Sequence, residues 1–596
     1  MKKTTSVLVF AALAMSLFGC SSDQSGDSSS SDGGRQAVSC NTKAIDVYMN
    51  SLSLVKQTSV CFFDSEEEIP YIELSDALRL RKDLFDAGLT YETPGKSTWD
   101  VAREGMEYTV TLNGRGKAVF DASKQTFYIE NMALLQAYSY NDTPYDILPF
   151  DTTLSSSIKY VAHQTRNGKV KSFYYLGDSI TIPLGEYDIP IYEKNEKLYL
   201  PLDLFNNFFL SYTYTNLIYS GESIFVFTGL TQASEDYLAR FYGEGSRQRS
   251  EALAEFSYNS LALNLNYQYG LTKAHGFSDF RKELEESGLK EGLLSTDGAT
   301  YLNALYRLIY HSFGDGHCSI GNKGAYISDD EESKARTDFA GDYNIGVYEV
   351  SLEALKAKEG RKANYAEHPE HNAPYYVDGD TAYVTFDSFS LVSSVPDYYS
   401  QATSGNETDT FGVIGYANKM IKADPNIKNV VVDLTCNGGG EEIALVFALG
   451  WMLGDEARIG LQNPLTHGNG TTYYHADVNF DGEYVPEDDT LEGYNKFILT
   501  SKSSYSCANV LPCFAKATNK VKIIGQTSGG GTCQVFPLIT TDGTVLNISG
   551  NAVLSTENNS HYQDIDAGAT PDYAIDDVNK LSDRAYTTKV VHGLVF

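Results

Sequence analysis

Between Phe497 and Val535 the chain places one serine where a nucleophile could work. Phe497-Ile498-Leu499 is a short apolar run suited to a buried strand, and a polar turn from Thr500 to Tyr505 follows. From Ser506 the pattern turns helical, with Val510, Leu511 and Phe514 on one face. Val521 to Ile524 is a second apolar run, closed by a glycine-rich turn. The expected order is strand, turn, helix, strand, with Ser506 in the first helical turn. Backbone N–H groups there have no intrahelical partner. A hydroxyl exposed at such a turn can attack a carbonyl, and the next N–H can hold the oxyanion. The same place also suits a plain helix cap, so spacing alone leaves both readings open.

Three other stretches offer chemistry. Phe313-Gly-Asp-Gly-His-Cys-Ser-Ile320 sets His317 between glycine turns and a short strand, on the kind of loop that carries catalytic groups. A turn histidine fits that pattern equally well. Val430-Val-Val-Asp-Leu434 reads as a strand of a buried parallel sheet and ends in Thr435-Cys-Asn-Gly-Gly-Gly440. A glycine turn there exposes N–H groups at the carboxyl end of the sheet, where open α/β folds bind ligands. No Gly-Lys-Ser/Thr follows, which argues against a phosphate loop. Asp477-Val-Asn-Phe-Asp-Gly482, with Asp488 six residues on, has the oxygen spacing of a calcium loop. Its candidate ligands are Asp477, Asn479, Asp481 and Asp488, and a solvated acidic turn is the competing reading.

The rest of the chain must position these groups. At 596 residues it should hold two or three domains. A formal charge of −32 repels phosphate backbones, so nucleic acid is not an expected partner. Lys2-Lys3 and the apolar Val7 to Phe18 read as a targeting segment too short to span a bilayer. Its end, Leu17-Phe18-Gly19-Cys20, resembles the bacterial lipobox, which implies lipidation at Cys20 and a membrane-anchored protein on the extracytoplasmic side of the envelope. Residues 21–38 are rich in Ser, Asp and Gly and suit a flexible tether. Export permits disulfides, and Cys40 with Cys61 forms a local candidate pair. Residues 39–230 are strand-rich. Two passages, from Ile69 and from Leu198, look like versions of one strand–helix–hairpin unit, weakly similar to copper amine oxidase N-terminal-like modules, with no copper implied. Residues 231–335 read as a helical subdomain, with Leu302, Leu305 and Ile309 at helical spacing. Residues 336–596 read as an α/β core.

Six motifs then occur in order: Gly314-Asp-Gly-His317, Tyr383-Val-Thr-Phe386, Val432-Asp-Leu-Thr-Cys-Asn-Gly-Gly439, Tyr505-Ser506-Cys507-Ala508-Asn509, Ile524-Gly-Gln-Thr-Ser-Gly-Gly530 and Asp566-Ala-Gly-Ala-Thr-Pro-Asp572. Together they resemble the tail-specific, or C-terminal-processing, serine peptidase family, over about residues 235 to 580. The resemblance implies a crotonase-like peptidase core, a peptide or protein substrate and no required cofactor. It implies Ser506 as nucleophile, with the N–H of Cys507 and one from the Gly438–Gly439 turn as oxyanion hole. Many members draw a lysine base from the turn after the second strand, but Thr527-Ser-Gly-Gly530-Gly has none. The tricorn-like branch uses a histidine at the place of His317, which points to His317 as general base. Asp566 is then the orienting acid, with Asp564 second, and Lys502, Lys516 and Lys520 are fallback bases. Tricorn has a serine before that histidine, where this chain has Gly316. The 321–380 interval is shorter than the PDZ module many members carry, so no PDZ domain is expected, and Asp329 to Lys334 reads as loop. The alternative within the fold is a surface lipoprotein that binds peptides, glycans or an apolar ligand without cleaving them.

Overall fold

Short apolar runs build the sheet that carries the site. In the computed structural model, which describes residues 39–594 apart from several internal stretches, the longest at 137–157, six strands form one sheet. Their order is Tyr375–Asp378, Thr381–Thr385, Asn429–Asp433, Asn495–Thr500, Val521–Gly525 and Tyr573–Ala574. The first strand is an antiparallel edge, and the other five run parallel. Val430, Val432 and Ile498 point into one core, formed with the helices Thr410–Ala423, Glu442–Leu453 and Cys507–Ala517. Tyr383, Val431, Phe497 and Leu499 point the other way, toward the C-terminal helix Arg584–Gly593. Burial on both faces explains the nearly continuous apolar sequence of these strands.

Under that second face lies a buried ion pair. Arg584 Nη1 stands 2.7 Å from Asp433 Oδ2, with side-chain exposures of 1% and 0%. The Arg584 guanidinium also donates to Thr385 Oγ1 at 3.1 Å and lies 4.5 Å over the Tyr383 ring. Asp433 Oδ1 accepts from the N–H and hydroxyl of Thr435, which starts the glycine turn. The C-terminal helix is thereby tied to the base of the site.

A second, antiparallel sheet includes the long Val545–Asn558 strand and its partner Cys533–Ile539. The loop bearing His317 feeds into Ser319–Asn322, which pairs with this sheet. Helices Glu251–Gln268 and Gly298–Arg307 give the helical region expected after residue 231.

The mixed α/β architecture and the strand-rich N-terminal region match the sequence reading, but the expected boundary at residue 230 is not a break in packing. Residues 39–596 form one compact unit. One hydrophobic core runs from Val47 and Phe205 through Leu261 to Leu538 and Val553. Asn207 Nδ2 donates to Ile539 O at 2.8 Å, and Ile539 N returns a bond of 3.0 Å to Asn207 Oδ1. Phe173–Tyr175 adds an edge strand to Asn469–Ala476. The strand–helix–hairpin passages are both present, as Glu66–Glu73 with Leu74–Asp86, and Lys197–Pro201 with Leu202–Phe209. Cys40 and Cys61 form a disulfide across neighbouring strands.

The segment from Asp329 is a helix, Asp329–Asp342, and not the loop its charges suggested. It buries Ala335 and Phe339 against the Gly298–Arg307 helix. A second helix, Glu349–Glu367, fills more of the 321–380 interval. Cys20 and the tether lie outside the described residues. Among the described residues, no helix is long and apolar enough to cross a membrane.

Candidate active site

Ser506 sits immediately before the Cys507–Ala517 helix but makes no side-chain capping bond. Its backbone lies at φ 55°, ψ −126°, a conformation that costs a non-glycine residue about 1–3 kcal/mol. The surrounding structure holds it there. Ser506 N donates to Gly530 O at 2.9 Å, and Tyr505 N donates to Asn437 O at 3.3 Å. This is the strained strand-to-helix elbow that lifts a nucleophile clear of its own helix. The cap reading of Ser506 therefore fails on geometry.

The glycine turn lies directly against the elbow. A β-carbon added at Gly439 would stand 2.6 Å from Ser506 Cβ and 3.1 Å from its Oγ. Gly439's own N–H donates to Asn437 Oδ1 at 2.8 Å, so it is committed to the turn. Gly438 is exposed, and its N–H is taken by none of the described residues. The N–H of Cys507 is likewise untaken among the described residues. Those two groups, and not Gly439, are the donors available to an oxyanion. The Cys507 thiol is buried and donates to Gly440 O at 3.1 Å; burial pushes its pKa up. Beside it, burial pushes the Glu442 carboxyl up to about 7.

His317 enters from the other side. Its backbone N–H donates to Asp315 Oδ1 at 2.9 Å. Asp315 is buried and also accepts from the Tyr505 hydroxyl at 3.4 Å, the Tyr269 hydroxyl at 3.2 Å and the Cys318 thiol at 3.3 Å. The His317 ring stands edge-on to Tyr505, with centroids 5.0 Å apart. Tyr505, the residue before the serine, thus joins both halves of the site, and its ring fills the space beside Gly316. No hydrogen bond links His317 to Ser506, and His317 Nδ1 is buried with no hydrogen-bond partner among the described residues. Burial lowers the His317 pKa, while the charges of Asp315 and Asp566 oppose that shift.

Asp566 is at the site, but its hydrogen bonds go elsewhere than to His317. Its Oδ1 accepts from Gly531 N at 2.9 Å, and its Oδ2 faces His275 Nε2 at 3.5 Å. His275 Nδ1 lies 2.9 Å from Phe313 O and 3.2 Å from the Tyr269 hydroxyl. Both ring nitrogens thus face oxygen acceptors, an arrangement fully satisfied by the imidazolium, in which both are donors. The bond to Asp566 accordingly raises the His275 pKa, against the effect of burial. Burial works against the charge of Asp566, but His275, Gly531 and His317 hold its pKa below the ordinary value. Asp564 stands behind, accepting from Asp566 N at 2.8 Å and from Thr532 Oγ1 at 3.3 Å. Sequence reasoning missed His275, which lies in a turn between Gly270 and Gly276 that matches none of the motifs.

The geometry also accounts for the missing lysine. Gly530 has φ +87°, and a β-carbon there would stand 2.4 Å from Asp566 O. The other lysines are turned away: Lys516 pairs with Asp572 at 3.8 Å and Lys520 with Glu456 at 2.8 Å, while Lys502 is exposed.

The acidic loop is self-contained where it is described. Asp477 Oδ2 accepts from Gly482 N at 2.8 Å and from the Tyr399 hydroxyl at 3.0 Å, and Asp477 Oδ1 accepts from Asp481 N at 3.2 Å. Asn479 Nδ2 donates to Asp481 Oδ2 at 3.0 Å. Asp488 lies outside the described residues.

Residues 380–575 match the family model described as Peptidase family S41. That segment is an S41 peptidase domain. It spans all five parallel strands, the glycine turn, the Ser506 elbow and Asp566, whereas His275 and His317 precede it. The matched segment is thus of a serine-type peptidase family, as the motif order implied. No curated protein sequence matches it. Among solved structures, it is similar to a Parabacteroides merdae protein at 16% identity, covering 58% of this chain and 99% of that one, with TM-score 0.38. It is also similar to a lipoprotein from Streptococcus agalactiae at 15% identity, covering 57% and 96%, with TM-score 0.32. The tricorn protease is similar at 10% identity, covering 93% of this chain and 58% of that one, with TM-score 0.30.

Proposed function

We propose that the chain is an endopeptidase of the cell envelope in which Ser506 attacks the scissile carbonyl and His317 is the general base. The observation that carries this reading is the Ser506 elbow: an uncapped hydroxyl on strained backbone, flanked by two untaken N–H groups. His317 takes the serine proton and returns it to the leaving amine; water then attacks the acyl-enzyme by the same route. The N–H groups of Cys507 and Gly438 hold the oxyanion, a contribution worth about a hundredfold or more in turnover for each donor in comparable sites. Asp566 supplies the negative charge that favours the imidazolium of His317. His275 is a positioning residue that keeps Asp566 ionised and fixed. The buried, unpartnered Nδ1 of His317 fits a ring that completes its hydrogen bonds when substrate closes the site, since catalytic contacts commonly tighten on binding.

On this reading the chemistry needs no cofactor. Calcium in the Asp477 loop would brace a turn that already satisfies its own carboxylates, and no step depends on it. Lipidation of Cys20 would anchor the enzyme to the membrane and place its peptide or protein substrates outside the cytoplasm. A serine-directed fluorophosphonate probe tests the core of the reading. It should label Ser506 in the wild type, and labelling should fall by orders of magnitude in His317→Ala. Full labelling of His317→Ala would refute the role of His317, and no labelling of the wild type would refute Ser506 as an activated nucleophile. Retention at the membrane of unlipidated Cys20→Ala from which the signal segment has been cleaved would refute the anchor.

A further inference from the structure

We propose a divalent metal site, of the kind that takes zinc, at His368, Glu370 and His371. These residues surround a single 3-10 turn, Pro369–Asn372, between the Glu349–Glu367 helix and the edge strand Tyr375–Asp378. Glu370 Oε1 stands 3.5 Å from His368 Nδ1 and 3.8 Å from His371 Nε2, and all three ligand atoms lie within 4.8 Å of one another. Two ligands of a tetrahedral zinc ion with bonds of about 2.0–2.1 Å are separated by roughly 3.4 Å. The spacing found here therefore needs only small ring rotations to close on an ion.

The turn also prepares its ligands. Asn364 Oδ1 accepts from His371 Nδ1 at 3.1 Å, which leaves the Nε2 lone pair facing Glu370. A hydrogen bond on the far nitrogen is the usual device for orienting a metal-binding histidine. His371 is buried, with its ring 4.8 Å from that of Tyr376, and the two histidine rings stack with centroids 4.9 Å apart. Backbone bonds of 2.8 Å from His368 N to Asn364 O, and 3.0 Å from His371 N to His368 O, fix the turn itself. Three electron-pair donors converge on one point, an arrangement that suits a cation. Three protein ligands would leave the fourth position to water. A bound ion would pin the end of the helix to the edge of the peptidase sheet.

Calorimetric titration of the full chain, made without a polyhistidine tag and stripped with a chelator, tests the site. Zinc chloride should bind the wild type, and saturating calcium or magnesium chloride should not displace it. His368→Gln, at a half-exposed position that does not threaten folding, should lower the zinc stoichiometry by one. Asn364→Ala should keep the stoichiometry and weaken zinc about 10- to 100-fold. A wild type that binds no zinc, or a zinc stoichiometry unchanged in both His368→Gln and Glu370→Gln, overturns the proposal.

Discussion

Replacing Ser506 by glycine should make the protein more stable than replacing it by alanine, although both changes remove the hydroxyl. The native backbone at this position, φ 55° and ψ −126°, suits glycine and strains any residue with a β-carbon. That strain is about 1–3 kcal/mol and is present equally in serine and alanine. Glycine releases it but adds freedom to the unfolded chain, which costs about 0.4–1 kcal/mol. No capping bond is lost in either variant, because Ser506 makes none. The difference should therefore be about 1 kcal/mol in favour of glycine, with a ceiling near 2.5 kcal/mol set by the same two terms. Side-by-side urea unfolding of Ser506→Gly and Ser506→Ala in the full chain measures it. Greater stability in the alanine variant would mean that the elbow is not strained.

Arg584→Met should destabilise the fold by about 3–5 kcal/mol, because it removes the ion-pair partner of the buried, charged Asp433; thermal and urea unfolding report it. Burial works against the charge of Asp433, but Arg584 and Arg361 hold its pKa below the ordinary value, so this pair's stabilisation is complete above about pH 4 and is lost as pH falls further. Peptidase activity should rise with pH along a limb set below pH 6.5, the ordinary histidine value, because burial keeps His317 neutral; a midpoint well above 6.5 would contradict its role as base. His275 has the opposite sign. Its raised pKa adds stability that is complete below about pH 6.5 and is lost as pH rises through the folded value, a loss that His275→Gln should abolish in a stability-versus-pH series. A fragment starting at residue 231 should be insoluble, because it exposes the Ile539 backbone and the shared core that residues 39–230 cover; a soluble fragment that reacts with the phosphonate probe would contradict this.

The strand, turn and helix around Ser506 were legible because they are local. Apolar runs mark the parallel strands, and the glycine turns mark where the chain leaves the sheet. What was not legible depends on distance or on weak patterning. His275 is separated in sequence from both His317 and Asp566, and it reaches Asp566 only because the turn after the Glu251–Gln268 helix is folded onto the Phe313 carbonyl. The Asp329–Asp342 helix has too few buried apolar residues to set a period, so its charges read as loop. The change of composition near residue 230 was visible, but composition does not report that Phe205 and Leu538 share one core.

The absent lysine and the reassigned partner of Asp566 have one geometric cause. Gly530 gives its carbonyl to Ser506 N, and Asp566 O closes over the same glycine, so a side chain there would strike the segment that carries the acid. Asp566 is thereby fixed against the Gly530–Gly531 turn, with one oxygen on Gly531 N and the other toward His275. A lysine base and this placement of Asp566 exclude each other. The turn that anchors the Ser506 elbow therefore leaves no room for a lysine at position 530, which favours the proposal that His317, on a loop outside residues 380–575, is the base.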